Sequence, residues 1–315
     1  MPMRELGQSG IRVSNLCLGG NVFGWTIDEA ASFRILDAYL DAGMNFIDTA
    51  DIYAIWQPGS SGGDSETILG RWLKARGNRK RVVVATKVGM EMGPGKIGLS
   101  AKYIAQAVED SLRRLQTDYI DLYQAHKDDP NTPVEETLRA FAKLVEQGKA
   151  RAIGASNFGP ARLEESLKTS HDLGLPRYES LQPHYNLVER AEYETSLEAI
   201  CEKHQLAVIP YWSLASGFLT GKYRHEEDLG KSTRGKDAKK YLNDRGRRVL
   251  AALDKVAAEH EATPTRVALA WLMARPSVTA PIASATSVEQ LQELIAATTL
   301  RLTTDEIGQL NAASA

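Results

Sequence analysis

The 315-residue sequence predicts a (β/α)₈ barrel, because short apolar segments alternate with helical patterns along nearly its whole length. The apolar segments are continuous instead of alternating, which is typical of strands covered on both faces in a parallel sheet. From the second segment to the seventh, successive starts lie 27 to 37 residues apart, the spacing of repeated strand–helix units. An open doubly wound sheet is the alternative, but no G-x-G-x-x-G motif follows any segment. The eight segments are residues 15–20, 45–50, 82–87, 119–126, 151–157, 180–186, 207–213 and 278–284.

Helical patterns fill the intervals between these segments. Residues 28–42 repeat apolar side chains at helical spacing, and Ser100 precedes the next pattern as an N-cap. We expect Thr132 and Glu135 to form a capping box at the start of the clearest helix. The same Thr-Pro start recurs in residues 263–275. We therefore expect one barrel domain over residues 1–315.

Two segments fall outside the repeat. Residues 3–14 resemble a small β-hairpin that precedes the first barrel strand and can close the bottom of the barrel. The loop after strand seven is enlarged, because the seventh and eighth apolar segments start 71 residues apart. Within it, residues 222–248 hold ten Lys/Arg against five Asp/Glu. That composition fits either a solvated insertion or a strap over an anionic cofactor.

Composition and charge exclude several classes of protein. The net charge of −2 gives no global basic field for nucleic acid. No apolar run approaches the roughly 20 residues that span a bilayer, and the N-terminus lacks the apolar core of a signal peptide. Cys17 and Cys201 fit no disulfide framework, and the six histidines show no zinc spacing. We therefore expect a cytoplasmic protein without a metal, a membrane partner or a nucleic-acid partner.

Chemistry is expected where the predicted strands end. Asp48 ends the second strand and Tyr53 follows it, Lys87 ends the third strand, and His126 ends the fourth. Taken singly, each has an ordinary structural explanation as a cap, a solvated charge or a core residue. In a (β/α)₈ barrel, however, the carboxyl ends of the strands share one rim, where active sites lie. The convergence of an acid, a lysine and an imidazole beside a phenol favours a functional site.

This set of side chains can build a general acid. A phenol has a pKa of about 10, and lowering it to about 7 requires about 4 kcal/mol, which a nearby ammonium can supply in a partly desolvated cleft. We expect Lys87 to lower the pKa of Tyr53, Asp48 to anchor Lys87, and His126 to orient a substrate oxygen. A general acid aimed at a carbonyl oxygen suits carbonyl reduction. Because side chains are not hydride donors, the reaction also requires a cofactor.

The remaining strand ends offer groups that suit such a cofactor. Ser156, Asn157 and Gln182 carry hydroxyl and amide groups that can hold a carboxamide. Tyr211 offers a flat face for stacking a ring, although it can equally be an aromatic residue of the barrel mouth with no ligand. Residues 213–222 are small, flexible and end in a lysine.

The sequence resembles the aldo-keto reductase superfamily, its bacterial members in particular, along nearly its whole length. The motifs that carry the resemblance are "NFIDTADIY", "VVVATK", "YIDLYQAH", "IGASNF", "QPHYN", "PYWSLASGFLTGKY" and "APIASATSVEQLQEL", in that order. The resemblance implies a (β/α)₈ barrel that binds extended NADPH without a Rossmann domain. It also implies that Tyr53 is the general acid, that Lys87 tunes it, that Asp48 pairs with Lys87, and that His126 orients the carbonyl.

The resemblance also implies a set of cofactor contacts. The nicotinamide end would be held by Ser156, Asn157, Gln182 and Tyr211, and Arg234 would close over the pyrophosphate. The other implied contacts are Gly20, Asn21, Ser213, Leu214, Gly217, Leu219, Lys222, Ile282, Ser284, Thr286, Gln290 and Glu293. Phe23, Trp25 and Trp56 lie in loops near the rim and can form the walls of a substrate pocket.

One departure from the family pattern concerns cofactor choice. Many relatives place a Lys or Arg where this sequence has Ser284, Thr286 and Gln290, and Leu294 stands where an Asn is common. Without charge assistance, a contact with the 2′-phosphate is weaker. We expect NADPH, with NADH as the alternative.

Two rival functions are compatible with the same barrel. Lys87 could form a Schiff base, which would make the protein an aldolase. Reductase-like barrels also serve as redox-sensing channel subunits that bind the cofactor with little turnover. We expect a small carbonyl substrate, either an aldehyde, a ketone or a keto-sugar. The sequence does not indicate the physiological substrate, the direction of the reaction or the oligomeric state.

Overall fold

A computed structural model describes residues 3–315 and contains ten strands, numbered in chain order. They are β1 Met3–Glu5, β2 Arg12–Ser14, β3 Cys17–Gly19, β4 Phe46–Asp48, β5 Val83–Val88, β6 Ile120–Ala125, β7 Ala150–Ser156, β8 Tyr178–Gln182, β9 Ala207–Val208 and β10 Ile282–Ala283. Strands β3 to β10 form one parallel sheet in the order β10-β3-β4-β5-β6-β7-β8-β9. A parallel bridge between Val208 and Val278, with a 2.8 Å hydrogen bond from the Thr279 N–H to the Val208 carbonyl, closes the sheet. The predicted (β/α)₈ barrel is confirmed, and each predicted apolar segment overlaps one barrel strand.

Helices cover the outside of the barrel. They are α1 Glu29–Asp41, α2 Asp64–Arg76, α3 Ala101–Leu115, α4 Val134–Glu146, α5 Pro160–Leu173, α6 Glu198–Lys203, α7 Gly235–Ala238, α8 Asp244–Glu259, α9 Pro264–Ala274, α10 Val288–Ala297 and α11 Thr304–Ala313. Shorter helical turns occupy Gly20–Val22, Arg79–Arg81, Tyr193–Leu197, Ala215–Thr220, Glu226–Lys231 and Lys239–Tyr241. The α3 helix shows how they pack, since its apolar stripe is buried and its charged face is not.

Two of the three predicted helix starts are confirmed. Ser100 and Thr263 each accept a hydrogen bond from a first-turn N–H, at 3.3 Å in both cases. The predicted capping box of Thr132 and Glu135 does not form, so this prediction is wrong. The Thr132 hydroxyl instead donates to the Asp129 carboxylate at 2.6 Å, and Pro133 occupies the N-cap position. A charged acceptor in the preceding loop competes successfully for the hydroxyl.

The N-terminal hairpin of β1 and β2 closes one end of the barrel, as predicted. Its Leu6, Ile11 and Val13 are at most 3 % exposed, and they belong to the same apolar cluster as residues inside the barrel. The Asn45 amide, just before β4, accepts from the Ser14 N–H at 2.8 Å and donates to the Arg12 carbonyl at 3.0 Å. The plug therefore lies at the amino ends of the strands.

The enlarged loop after β9 folds back onto the barrel. Arg224 pairs with Asp254 through bonds of 2.6 and 2.7 Å, and Lys240 lies 2.7 Å from Glu189. A Cβ on Gly235 would lie 1.8 Å from the Leu229 carbonyl oxygen, so the backbone packs tightly there. These contacts hold parts of residues 222–248 against the rest of the chain, and a strap over an anionic cofactor stays a prediction.

Several features are absent from residues 3–315. Cys17 and Cys201 are buried and free of disulfides. No three His, Cys, Asp or Glu side chains in this range gather as a metal site requires. None of the helices described combines the length and the apolar character needed to cross a membrane.

A close approach of two helices leads to a stability prediction. A Cβ on Gly70 in α2 would lie 2.1 Å from the Arg114 carbonyl oxygen in α3. We expect Gly70→Ala to destabilise the fold by about 3 kcal/mol, because rigid backbone opposes the new methyl group. Gly308 in α11 is the matched control, since a Cβ there meets nothing within 4 Å. Gly308→Ala should stabilise the fold by about 0.5 to 1 kcal/mol. Urea unfolding measures both, and equal stability of the two variants would contradict the prediction.

Candidate active site

The carboxyl ends of neighbouring strands bring the predicted catalytic residues to one rim. Asp48 is the last residue of β4, Lys87 is the last but one of β5, and His126 follows β6 directly. Tyr53 lies in the turns after β4, where its N–H donates to the Ala50 carbonyl at 3.2 Å. The parallel registry of the strands thus places four chemically different groups together.

The Lys87 ammonium is the centre of the cluster. Its Nζ lies 2.7 Å from Asp48 Oδ2, 2.8 Å from Tyr53 Oη and 2.9 Å from the Thr49 carbonyl oxygen. Three acceptors match the three protons of an ammonium, so no donor is left unused. Lys87 is 0 % exposed and Asp48 is 1 % exposed. The pair is therefore a buried, fully hydrogen-bonded ion pair of the kind that persists away from water.

Two glutamine side chains hold the other oxygen of Asp48. Gln182 Nε2 lies 2.9 Å from Asp48 Oδ1, and Gln124 Nε2 lies 3.4 Å from the same atom. The sequence-based prediction assigned Gln182 to a carboxamide and did not include Gln124. The sequence could have indicated Gln124. It is a polar residue in the apolar segment of β6, two positions before His126, so both side chains point to the same face of the strand. Gln182 thus ties the ion pair across the barrel to β8, and Gln124 ties it to the neighbouring β6.

The pKa of Tyr53 is opposite in direction to the prediction. Burial raises this pKa well above its ordinary value, and the nearby Asp48 carboxylate raises it further. Burial is the larger cause of the difference, and Asp48 adds to it because it pairs with Lys87 and also accepts from the Tyr53 hydroxyl at 3.2 Å. The phenol is therefore protonated at neutral pH, which is the form that a general acid requires.

His126 is present as a neutral imidazole. Burial lowers its pKa well below the ordinary value, and the positive charge of Lys87 lowers it further. Its ring lies edge-on to that of Tyr53, with centroids 6.1 Å apart. Within residues 3–315, the buried Nδ1 atom has no hydrogen-bond partner. A neutral ring beside the phenol can orient an oxygen atom by hydrogen bonding, without contributing a charge.

The opposite part of the rim forms a second hydrogen-bonded group. The Tyr211 hydroxyl donates to Asn157 Oδ1 at 2.8 Å, and Asn157 Nδ2 donates to the His126 carbonyl at 2.9 Å. Ser156 Oγ donates to the Gln182 carbonyl at 2.9 Å. His184, which the sequence did not single out, stacks on one face of Tyr211 at 14° and 5.3 Å. A flat ligand can therefore stack only on the remaining face of Tyr211.

The loop from Ser213 to Lys222 forms a concave backbone. Ala215, Ser216 and Gly217 have consecutive positive φ values of 49°, 57° and 90°. The Ala215 N–H donates to the Trp212 carbonyl at 2.7 Å and the Gly217 N–H donates to the Leu214 carbonyl at 2.9 Å, so these two N–H groups are not available to a ligand. A Cβ on Gly217 would lie 2.9 Å from Lys222 Nζ, so the lysine folds back against the loop. The Lys222 ammonium can therefore hold an anionic group such as a pyrophosphate, without help from these two N–H groups.

Three further predicted members of this loop differ in how accessible they are. Leu214 is partly exposed, and Ser213 Oγ donates to the Pro210 carbonyl at 3.1 Å. Leu219 is fully buried and its N–H donates to the Leu214 carbonyl at 3.2 Å. The side chain and the N–H of Leu219 are therefore not available to a ligand, and the sequence-based prediction was wrong in this respect.

Aromatic residues and one arginine border the catalytic cluster. Trp25 and Trp56 lie edge-to-face with ring centroids 5.3 Å apart, and the Trp56 ring lies 6.2 Å from that of Tyr53. The Arg234 guanidinium lies 5.2 Å from the Trp25 ring centroid, which brings the strap to the rim. Phe23 is 0 % exposed and packs in the core. It presents no surface to a substrate, so only the two tryptophans remain as predicted walls.

The ends of β3 and β10 form the third part of the rim. Ser284 Oγ donates to Asn21 Oδ1 at 2.6 Å, and a Cβ on the buried Gly20 would lie 3.1 Å from the Asp48 carbonyl oxygen. Thr286 donates to Gln290 Oε1 through its N–H and its hydroxyl, both at 2.9 Å. Ile282 is buried at the end of the barrel sheet.

A cation from another helix reaches this region. Arg266 Nε, on the first turn of α9, lies 3.0 Å from Glu293 Oε2, and the Thr263 hydroxyl donates to the same oxygen at 2.8 Å. The sequence-based prediction found no cation in the stretch from Ser284 to Leu294, and it did not include Arg266. The sequence pattern could not predict this contact, because α9, which carries Arg266, and α10, which carries Glu293, come together only in the folded chain.

Asp51 is an unpaired buried carboxyl group behind the site. It is 2 % exposed, and neither of its carboxyl oxygens has a hydrogen-bond partner within residues 3–315. Burial, and then the charge of Glu66, raise the pKa of Asp51 to about 8. Asp51 is therefore mostly neutral at pH 7.

Comparison with known proteins identifies the relatives of this chain. The aldo/keto reductase family matches residues 15–315. An uncharacterized oxidoreductase of Bacillus subtilis, YrpG, is 37 % identical over 99 % of this chain and 95 % of its own length. A probable voltage-gated potassium channel subunit beta of Oryza sativa is 34 % identical over 93 % and 90 %. An L-glyceraldehyde 3-phosphate reductase of Escherichia coli O157:H7 is 31 % identical over 99 % and 92 %.

The unpaired Asp51 predicts a pH-dependent stability. Its folded pKa of about 8 lies above the ordinary 3.8, so the native state gains stability from the bound proton at low pH and loses it as pH rises toward 8. Asp51→Asn removes this dependence. We expect its stability relative to wild type to rise between pH 5 and pH 8, by at most about 1.4 kcal/mol per pH unit.

Thermal unfolding across this pH range measures the difference, with the exposed Asp118→Asn as a charge-matched control. A difference between wild type and Asp51→Asn that stays constant from pH 5 to pH 8 would show that Asp51 finds a partner in solution.

Proposed function

This chain belongs to the aldo/keto reductase family, and we propose that it is an NAD(P)H-dependent oxidoreductase that reduces a carbonyl group to an alcohol. The substrate class we propose is an aldehyde, a ketone or a keto-sugar. One observation carries the proposal, namely the buried Lys87 ammonium held within 2.8 Å of both Asp48 and Tyr53 at the rim. We also propose a cytoplasmic location, which agrees with the two free cysteines.

In the proposed reaction, Tyr53 transfers its phenolic proton to the carbonyl oxygen as hydride adds to the carbonyl carbon. The Tyr53 O–H bond breaks and the new alcohol O–H bond forms, which leaves a phenolate. Lys87 already donates to this oxygen and stabilises the negative charge that develops there. Asp48 holds the lysine in place through the 2.7 Å ion pair. The phenolate then regains a proton from solvent.

His126 positions the substrate in this proposal. Its neutral imidazole lies beside the Tyr53 ring and can donate to the carbonyl oxygen without competing as an acid. Trp25 and Trp56 exclude water from one side of the reacting group. A drier site strengthens every electrostatic interaction within it.

The rim fits a nicotinamide dinucleotide. The fit rests on two cations, Lys222, which folds against the loop at Gly217, and Arg234, which lies 5.2 Å from the Trp25 ring centroid at the rim. We propose that Lys222 and Arg234 hold the pyrophosphate, and that Tyr211 stacks on the nicotinamide through the face that His184 leaves free. Bound NADPH supplies the hydride, which no side chain can supply. The proposed contacts with the nicotinamide carboxamide are made by Ser156, Asn157 and Gln182.

We propose NADPH as the cofactor, with NADH as the alternative. The stretch with Ser284, Thr286 and Gln290 offers hydroxyl and amide groups but no charge. Arg266 lies against Glu293 beside this stretch and can supply the missing cation. A charged partner roughly doubles the strength of a hydrogen bond to phosphate.

The two rival functions receive unequal support. A Schiff base requires a neutral amine, whereas the Lys87 Nζ donates to three acceptors and pairs with a carboxylate. A redox-sensing subunit has support from the relative named as a potassium channel subunit beta. Such a protein would bind the cofactor tightly and turn over few substrates. The complete catalytic set favours the enzyme.

Replacing the proposed general acid tests the reaction. Tyr53→Phe removes one hydroxyl, and we expect carbonyl reduction to fall at least about a hundredfold because proton transfer is lost. The affinity for NADPH should stay within about twofold. Turnover is measured as loss of NADPH absorbance over a panel of aldehydes, quinones, ketosteroids and keto-sugars. Undiminished turnover of Tyr53→Phe would overturn its role, and tight binding without any wild-type turnover would favour the sensing subunit.

Arg266 provides a test of cofactor choice. We expect Arg266→Gln to weaken the affinity for NADPH about tenfold and to change the affinity for NADH by no more than about twofold. The reason is that only NADPH carries the 2′-phosphate. Fluorescence titration measures both affinities, and the exposed Arg71→Gln is the control for lost charge. If the variant weakens both cofactors equally, Arg266 acts through local structure alone. In that case, replacing Ser284 or Gln290 by Arg should still tighten the binding of NADPH relative to that of NADH.

A further inference from the structure

We propose that the barrel end opposite the active site holds a second, anion-binding site for a small phosphate-bearing molecule. The site is a cavity of about 250 Å³ between the hairpin and the amino ends of β5, β6 and β7. We name it the basal cavity. Its lining includes four cationic residues, Arg12, Lys80, Arg81 and Arg151.

The fold assembles these four cations from distant parts of the chain. Arg12 belongs to β2, Lys80 and Arg81 belong to the turn before β5, and Arg151 belongs to β7. Like charges repel one another, so their gathering raises the free energy of the empty site. The whole chain has a net charge of −2, so the positive field is a local feature and not a consequence of composition.

Little negative charge balances the cavity. Asp121 is the only acidic residue of its lining, and it is 1 % exposed. It already accepts from Arg79 at 2.8 Å, from Arg151 at 2.6 Å and from the Val84 N–H at 2.9 Å. Within residues 3–315, no ion pair involves Arg12, Lys80 or Arg81, so the cavity retains a positive excess.

Part of the lining is held rigid before any ligand arrives. Asp121 fixes one nitrogen of Arg151. The Arg79 guanidinium, which also binds Asp121, stacks 3.8 Å from the centroid of the Tyr119 ring and donates to the Tyr119 carbonyl at 2.9 Å. Groups ordered in advance lose less conformational entropy on binding, which favours a specific ligand over a diffuse ion cloud.

The volume and charge limit the ligand. At about 30 Å³ per water, the cavity has the volume of roughly eight water molecules, below the range of drug-sized sites. A diphosphate or a phosphorylated small sugar therefore suits it better than a dinucleotide. Arginine and lysine side chains are the preferred partners of phosphate oxygens.

A neighbouring cavity shows that the basic lining is not general to this end of the barrel. It measures about 330 Å³ and lies on the other side of the hairpin, at the start of β9. Glu5 and Glu202 line it, and none of the described residues around it is a Lys or Arg. Two cavities at one end thus carry opposite charges.

Calorimetric titration with inorganic pyrophosphate tests the proposal. The full chain is first saturated with NADP⁺, so that the proposed cofactor site at the rim is filled. We expect one further pyrophosphate to bind per chain. The double variant Lys80→Gln/Arg81→Gln, at two exposed positions, should weaken this binding at least about tenfold. The control variant Lys102→Gln/Lys168→Gln removes the same charge from exposed positions elsewhere and should bind as wild type does.

Three results would overturn the proposal: no pyrophosphate binding, equal weakening by both double variants, or binding confined to long polyanions such as heparin. Thermal unfolding without pyrophosphate checks that both double variants fold. If neither NADP⁺ nor NAD⁺ binds, the proposed reductase function fails, and the same titration of the chain alone still decides the basal site.

Discussion

The buried ion pair between Lys87 and Asp48 is the interaction on which the site depends. Two charges withdrawn from water are stable only when each finds its partners, and removal of one partner typically costs about 3 to 5 kcal/mol. Here Asp48, Tyr53 and the Thr49 carbonyl take up the three ammonium protons. Asp48 and Lys87 lie on adjacent strands whose register pairs Asp48 with Ala85. Since a slip by one residue would turn Lys87 to the opposite face, the barrel register and the chemistry are specified together.

The same pair links the two halves of the proposed site. Gln182 joins Asp48 to β8, and the Gln182 carbonyl accepts from Ser156 on β7. Asn157 connects the Tyr211 platform to the His126 backbone. A shift on the side that would bind the dinucleotide is therefore transmitted to the groups that would handle the proton. Such continuous networks rigidify a site when every member is satisfied.

Elements read from periodicity and strand ends were predictable from the sequence. The eight strands, the hairpin and the gathering of Asp48, Lys87 and His126 follow from apolar segments and from the geometry of parallel sheets. The remainder depends on contacts between distant segments. The Thr132 hydroxyl donates to the Asp129 carboxylate, and Arg266 pairs with Glu293. The Phe23 side chain is buried in the core. The direction of the Tyr53 pKa was also beyond the sequence, because it reflects burial and the net effect of two opposite charges.

The hairpin that seals the amino ends of the strands has a kinetic consequence for the proposed reaction. Leu6, Ile11 and Val13 cover that end with buried apolar side chains, which disfavours a path for water along the barrel axis to Tyr53. Any proton that replaces the one given to a substrate must enter through the mouth that the substrate itself occupies. The Tyr53 phenolate would therefore be reprotonated only after the alcohol product has left. Each turnover would end with product release followed by proton uptake.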